Sequence, residues 1–389
     1  MPLDLSPAVA ALAQEMTAWR RGLHAHPETA YEETRTARFV ADRLQDFGLE
    51  VTTGVGRTGV VGVLTRGRGP AIALRADMDA LAMDEATGVA HASQIPGRMH
   101  ACGHDGHVAM LLGAAKHLAS SPSFRGVVVF IFQPAEEGEA GAKAMIDDGL
   151  FERFPVDGVY GLHNWPNMDF GTFAVQAGPV MAAYEAFTAE IRGVGAHGGM
   201  PHQGVDSIVV AAQVINAWQT IVSRSLAPHD AAVVSVTSIH GGESFNILPE
   251  TVTLKGAVRS LSAEAGERAW DRLVALAENI AAGHGARFTV KRHRTYPATV
   301  NAPEQTRHAY DAARDVVGAD NVVGAFPASM GAEDFAFMLE RTPGCYVWMG
   351  TRQGDDQPGL HHPKYDFNDE ALTIGASYWV RLVERLLPL

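Results

Sequence analysis

Two cysteines in 389 residues, Cys102 and Cys345, are too few for a disulfide framework. Positive charge is scarce as well: 31 Lys and Arg against 44 Asp and Glu leave a formal charge of −13. That balance gives no cationic footprint for nucleic acid or for an anionic membrane surface. No apolar run is long enough to span a bilayer, and the opening MPLDLSPAVAALAQEM has neither the basic nor the apolar region of a secretory leader. The expected compartment is a reducing cytoplasm, where a lone thiol stays available as a ligand. Also missing are a GxxxxGK[ST] phosphate loop, an HExxH helix and a GxSxG nucleophile elbow, and GVGRTG at 54–59 lacks dinucleotide spacing. What remains is a protein that acts on small molecules, with neither nucleic acid nor membrane as partner.

What is present is apolar mass, 47% of the residues, in a chain longer than one core usually organises, so two domains are expected. Over 1–179, apolar runs at 59–64, 71–77, 126–133 and 158–163 read as strands buried on both faces, with helices near 29–47 and 106–119. This predicts an α/β domain with a central, mostly parallel sheet flanked by helices. Over 180–294 the order becomes strand 184–193, helix 205–225, strands 231–240 and 251–260, helix 263–283 and strand 286–292. That β-α-β-β-α-β order predicts an inserted ferredoxin-like α+β domain. Over 295–389, helices near 303–317, 331–341 and 369–388 and a strand at 345–350 complete the larger domain, with 351–359 as the expected mobile loop.

The chemistry concentrates at strand ends, where open α/β sheets gather their ligands. MHACGHDGH (99–107) sets Cys102 beside His100, His104 and His107, donors that suit zinc and similar metals; the plain alternative is a polar helix start with an incidental buried cysteine. FQPAEEGEAGA (132–142) brings Glu136 and Glu137 out of a buried strand, where adjacent carboxylates repel unless a cation or proton is shared. One could hold an ion while its neighbour moves a proton, since consecutive residues in extended chain point to opposite sides. His163 ends another strand, and His361 and His362 follow a turn. Asp77 and Asp79 end a strand too, as ligands or as carboxylates orienting a ligand histidine. In the inserted domain His197 tips a glycine-rich loop, placed to reach an oxyanion on closure, and Asn246 and Arg259 are candidate substrate anchors.

Taken in order, RRGLHAHPETAYEE, ALRADMDAL, MHACGHDGH, QPAEEGEAGA, GLHNWP, GAHGGMP, MGAEDF and LHHP resemble the M20 metallopeptidase family. The match, from about residue 17 to the final helix, is to the branch of hippurate hydrolases, N-acyl-amino-acid amidohydrolases and auxin-conjugate hydrolases. The resemblance implies a zinc-exopeptidase-like catalytic domain with a lid that often dimerises, hence a homodimer or tetramer. It implies two divalent metal ions per subunit, zinc or manganese or else cobalt or nickel, held by Cys102, His104, Glu137, His163 and His361, with Cys102 bridging. Glu136 would be general base and acid, and His197 the lid histidine that assists at the oxyanion, in its own or a neighbouring subunit. The implied reaction is hydrolysis of the amide bond of an N-acyl amino acid, hippurate-type, N-acetyl or indole-acetyl. Ala82 stands where the family usually has proline after the leucine of RADMDAL. Rival readings are an M20 dipeptidase, a deacetylase of an N-acetyl intermediate, a cysteine hydrolase built on Cys102, and a non-catalytic protein that binds metal or an acyl-amino acid.

Overall fold

The structure, a computed structural model, describes residues 3–389, the side chains of 294 and 295 excepted. The chain divides into two units, Met1–Gly178 with Val300–Pro327 and Asp334–Leu389, and Pro179–Thr299 with Ala328–Glu333. The short return segment of the second unit is tied in by its backbone: Ser329 N–H donates to Val180, and Ala182 N–H to Ser329 and Gly331.

The first unit opens with helices α1 (Ala13–His24) and α2 (Thr34–Asp46) and strands β1 (Glu50–Val55), β2 (Gly59–Arg66) and β3 (Ala71–Asp77). Helix α3 (His104–Ser120) and strands β4 (Gly126–Gln133), β5 (Gly158–Trp165) and β6 (Phe173–Ala174) follow. The second unit runs β7 (Ala183–Arg192), α4 (Ser207–Thr220), β8 (Ala232–His240), β9 (Thr251–Ser260), α5 (Ala263–Gly283) and β10 (Arg287–Tyr296). The first then resumes with α6 (Pro303–Val317), β11 (Val322–Val323), β12 (Gly344–Gly350) and α7 (Leu372–Leu386).

The large sheet has the order β1-β2-β4-β3-β5-β12-β6-β11. Its centre, from β4 through β3 and β5 to β12, is parallel, while β1, β2 and β6 add antiparallel pairings on either side. The central strands bury nearly every residue, as continuous apolar runs covered on both faces must. Helix α3 is buried around its whole circumference from His104 to Ala115, the signature of an internal helix. The second unit is an antiparallel sheet of order β8-β9-β7-β10, with α4 and α5 sharing one core with it around Trp218, Phe187 and Leu273. Asp206 caps α4 by accepting from Ile208 and Val209 N–H. Among the described residues no helix is long and apolar enough to cross a membrane.

Some boundaries depart from the sequence pattern for identifiable reasons. The helix expected at 29–47 begins only at Thr34, because the Glu28 carboxylate accepts from Arg35 and Thr36 N–H and so ends the preceding loop. The helix expected at 331–341 shortens to Ala336–Arg341, since the residues up to Glu333 belong to the second unit. The pattern also misses β1, a largely exposed polar edge strand, and α1.

Helix α1 carries a polar face inward. Arg20, 1% exposed, ion-pairs with Asp366 at 2.8 Å and Asp369 at 2.6 Å, and His24 Nδ1 lies 2.8 Å from Asp105 Oδ2 in the first turn of α3. Burial alone would lower the His24 pKa, but Asp105 and Glu85 outweigh it and push it up to about 9. A raised imidazole contributes stability below its ordinary value of 6.5 that is lost as pH rises through 9. His24→Gln should therefore lower the melting temperature most at pH 6 and least at pH 9.5, as thermal denaturation followed by circular dichroism would show. A constant difference would remove His24 from that role.

Candidate active site

MHACGHDGH forms the entry to α3. Gly103 sits at φ 89°, and a Cβ there would lie 2.4 Å from Asn164 Oδ1 and 2.8 Å from the Tyr365 hydroxyl. Only glycine meets both demands, and the tight turn lets Cys102 and His104 flank it. Cys102 Sγ stands 3.4 Å from His163 Nε2 at the end of β5. The opposite nitrogen, His163 Nδ1, lies 2.7 Å from the Asn164 carbonyl oxygen, so it carries the proton and leaves the Nε2 lone pair facing Cys102. His104 is built the same way: Nδ1 faces the Asp79 carbonyl at 2.9 Å and Oδ1 at 3.2 Å, and Nε2 is buried with no hydrogen-bond partner. Imidazoles fixed through Nδ1–H with a bare Nε2 are the arrangement that ligating histidines adopt.

The two glutamates follow β4 through Ala135, held at φ 53° with its N–H donating to Glu33 Oε1 at 2.8 Å. Asp79 braces the next step, since its Oδ2 accepts from Glu137 N–H at 2.9 Å. One carboxylate thus orients both His104 and the backbone of Glu137. His361, at φ 62°, places Nε2 3.1 Å from Glu137 Oε1, but without hydrogen-bond alignment, so that buried oxygen too has no hydrogen-bond partner. Ligand atoms within 4.8 Å of one another form overlapping groups: Cys102, Glu137 and His361; His104, Glu136 and Glu137; Asp77, His104, His107 and His163. All five expected ligands and Glu136 therefore lie in one connected site.

The electrostatics are those of a site built around a cation. Burial pushes the Cys102 thiol well above its ordinary range, and Glu137, Glu136 and Asp77 push it further. This is the wrong polarity for a cysteine nucleophile, which needs electropositive surroundings. Burial would lower the His104 pKa, but Asp77 and Asp79 carry it up to about 10. His163 is driven well below its ordinary value by burial and by His107. Thiol, imidazole and carboxylate donors, with buried donor atoms on His104 and Glu137 that nothing satisfies, fit divalent ions of the zinc type.

Residues 73–385 match the model of peptidase family M20/M25/M40. The chain belongs to this family. It is 38% identical over 386 residues to hippurate hydrolase of Campylobacter jejuni, covering 99% of this chain and 100% of that one. It is 40% identical over 381 residues to N-acetyl-L-cysteine deacetylase of Bacillus subtilis, covering 97% and 88%. Among solved structures, the YxeP protein of Bacillus subtilis, described as a dinuclear metal-binding peptidase of family M20, superimposes with a TM-score of 0.85 at 34% identity, covering 97% of this chain and 99% of that one. The family expected from the motifs is the one found, and this M20 chain is a hydrolase of the peptidase and amidohydrolase type.

Around the M20 site stand Asn164 and Arg75, to which the sequence assigned no part, together with Asp77, Asp105 and His107, which it singled out. Asn164 Oδ1 lies 2.6 Å from His107 Nε2, and His107 Nδ1 lies 2.6 Å from Asp77 Oδ1. His107 thus supports Asp77, and Asp105 supports the start of α3 through His24. Arg75 spans Asp77 at 2.7 Å, Gln133 at 2.8 Å and Asp334 at 3.2 Å. The signal for Asn164 was its place directly after His163, on the opposite side of the strand. Within the second unit, His197 and Asn246 share a loop cluster, where Gly198 N–H donates to the Asn246 carbonyl at 2.7 Å. His197 Nδ1 accepts from Gly199 N–H at 3.0 Å, so the neutral ring carries its proton on Nε2. Arg259 stands apart from them on β9, donating to the Met330 carbonyl at 2.7 Å and lying over the Tyr184 ring.

Because Cys102 and His104 hold protons in the metal-free protein, zinc binding at pH 7 should release protons, and calorimetry in buffers of different ionisation enthalpy would count them. Heats independent of buffer would contradict this donor set. Cys102→Ala should reduce both the metal content and the protons released.

Proposed function

We propose that this chain hydrolyses the amide bond of N-acyl amino acids with the help of two divalent ions, giving a carboxylic acid and a free amino acid. The observation that carries the reading is the connected set of Cys102, His104, Glu136, Glu137, His163 and His361 with its unsatisfied buried donors, in a chain similar end to end to a hippurate hydrolase. Cys102, His104, Glu137, His163 and His361 would hold the ions. When bound, such ions lower the pKa of water toward neutrality and polarise a carbonyl oxygen. Their Cys and His donors favour zinc, and their carboxylates also accept manganese.

The protein supplies the proton transfers and the positioning. Glu136 adjoins Glu137 in the chain, and its carboxylate lies within 4.8 Å of ligand atoms of both His104 and Glu137. From there it takes the proton of the attacking water and returns it to the amine that leaves. His197, protonated on Nε2, donates to the oxyanion that develops as the carbonyl becomes tetrahedral. Arg259 anchors the amino-acid carboxylate, the guanidinium fork matching its two oxygens, and Asn246, apart from it on the loop of His197, contacts another part of the substrate. The second unit serves as lid and as the surface for a homodimer, in a cytoplasmic enzyme.

Metal-reconstituted protein should release amino acid from N-benzoyl, N-acetyl or indole-acetyl substrates and leave free dipeptides largely intact; exclusive cleavage of dipeptides would replace this reading with a dipeptidase. Glu136→Gln should cut kcat about 10³-fold or more while bound metal, measured by plasma mass spectrometry, stays near wild type. Turnover that survives the change would remove Glu136 from the proton-transfer role.

A further inference from the structure

Segments far apart in sequence bring aromatic rings to the carboxyl end of the parallel sheet beside His163. Strands β5 and β12 pair in parallel register with Trp348 opposite His163 and Gly350 opposite Trp165. Paired and alternate residues point to one face, so His163, Trp165 and Trp348 share it. The Trp165 and Trp348 rings stack at 4.2 Å and 13°, and Phe326 closes on Trp348 at 4.6 Å. Trp165 stands 6.3 Å from the His163 ring at 70°.

Core packing alone would bury every member of such a stack. Here only the inner ring is buried: Trp348 is 4% exposed, while Trp165, next to a candidate ligand, stays half-buried. Trp348 Nε1 is also buried with no hydrogen-bond partner, although a buried indole N–H ordinarily finds one. An apolar platform with one unsatisfied donor is how small-molecule sites are lined.

We propose that Trp165, backed by Trp348 and Phe326, is the wall against which the acyl group of the substrate lies, and that the chain therefore selects planar aromatic acyl groups over acetyl. The proposal rests on the amidohydrolase reading above for its substrate. Trp165, 6.3 Å from the His163 ring, stands where a ring on a carbonyl bound beside His163 could meet it over the 4.5–7 Å at which aromatic pairs attract.

The test compares kcat/KM for N-benzoylglycine and N-acetylglycine in the zinc-loaded enzyme. Wild type should favour the benzoyl substrate, and Trp165→Leu should lower the benzoyl-to-acetyl ratio about tenfold, chiefly through KM. Trp165→Phe, which keeps a ring, should restore most of the ratio. A ratio unchanged in Trp165→Leu overturns the proposal. Benzoate binding by saturation-transfer NMR separates this from the parent reading. If neither substrate is cleaved, the hydrolase reading fails, yet benzoate held by wild type and lost by Trp165→Leu still supports the wall. Equal benzoate binding by both proteins overturns the wall whatever the turnover.

Discussion

A surplus of buried acid is the constraint on which the rest of this structure depends. Asp77, Asp79, Glu136 and the Cys102 thiol are withdrawn from water within a few ångströms of one another, with Glu137 partly withdrawn beside them. Charges so placed destabilise a fold unless cations answer them. The protein answers some: Arg75 sits against Asp77 and Asp334, and Arg20 with His24 against Asp105. It leaves Glu137 Oε1 and His104 Nε2 buried without a hydrogen-bond partner. Asp77 and Asp79 hold a proton on His104 up to about pH 10, and any cation bound there must displace it.

Backbone geometry serves the same end. Ala135 and His361 both adopt positive φ, at 53° and 62°, a region that costs a non-glycine residue about 1–3 kcal/mol. The N–H of each is fixed by a hydrogen bond, Ala135 to Glu33 and His361 to the Ala101 carbonyl, and the Ala135 carbonyl also accepts from Gly141 N–H. Ala135 turns the chain as it leaves β4, so that Glu136 and Glu137 diverge while both stay near His104. A regular strand would have carried one of them away.

The central strands were legible because residues buried on both faces must be apolar, and β3 and β4 begin and end where the apolar runs do. The alternation through 184–292 was legible for the same reason, since one face of each strand and helix meets a single core around Trp218. Most of the residues singled out for metal chemistry lie together because they follow a strand of one sheet or open the helix beside it, whereas His361 comes from the loop after β12, tied in by its N–H to the Ala101 carbonyl. What the sequence did not reveal was support at long range. Arg20, His24 and Glu33 all belong to RRGLHAHPETAYEE, a motif that helps to name the family, yet nothing local says that they reach Asp105, Asp366 and Ala135. Those partners lie 81 to 346 residues away, and periodicity carries no information at that separation. The helix start at Thr34 was missed for a similar reason, because Glu28 ends the loop through its side chain and not through composition.

The histidines show how far the protein itself prepares the site. Asp79 takes the Nδ1 side of His104, and the Asn164 carbonyl takes that of His163. In both rings Nδ1 is taken by groups outside the cluster, so Nε2 faces inward before any ion arrives, as a lone pair on His163 and, on His104, as the N–H whose proton an ion would displace. His107 differs: both of its nitrogens are engaged, one by Asp77 and the other by Asn164. It lies as close to the cluster as a ligand would, yet a ring held at both ends has no lone pair to offer without breaking a 2.6 Å contact. Proximity therefore does not separate ligand from support here. The engagement of Nε2 does: that of His104 has no hydrogen-bond partner and that of His163 meets only Cys102, as candidate ligands would, while His107 holds Asp77 in place.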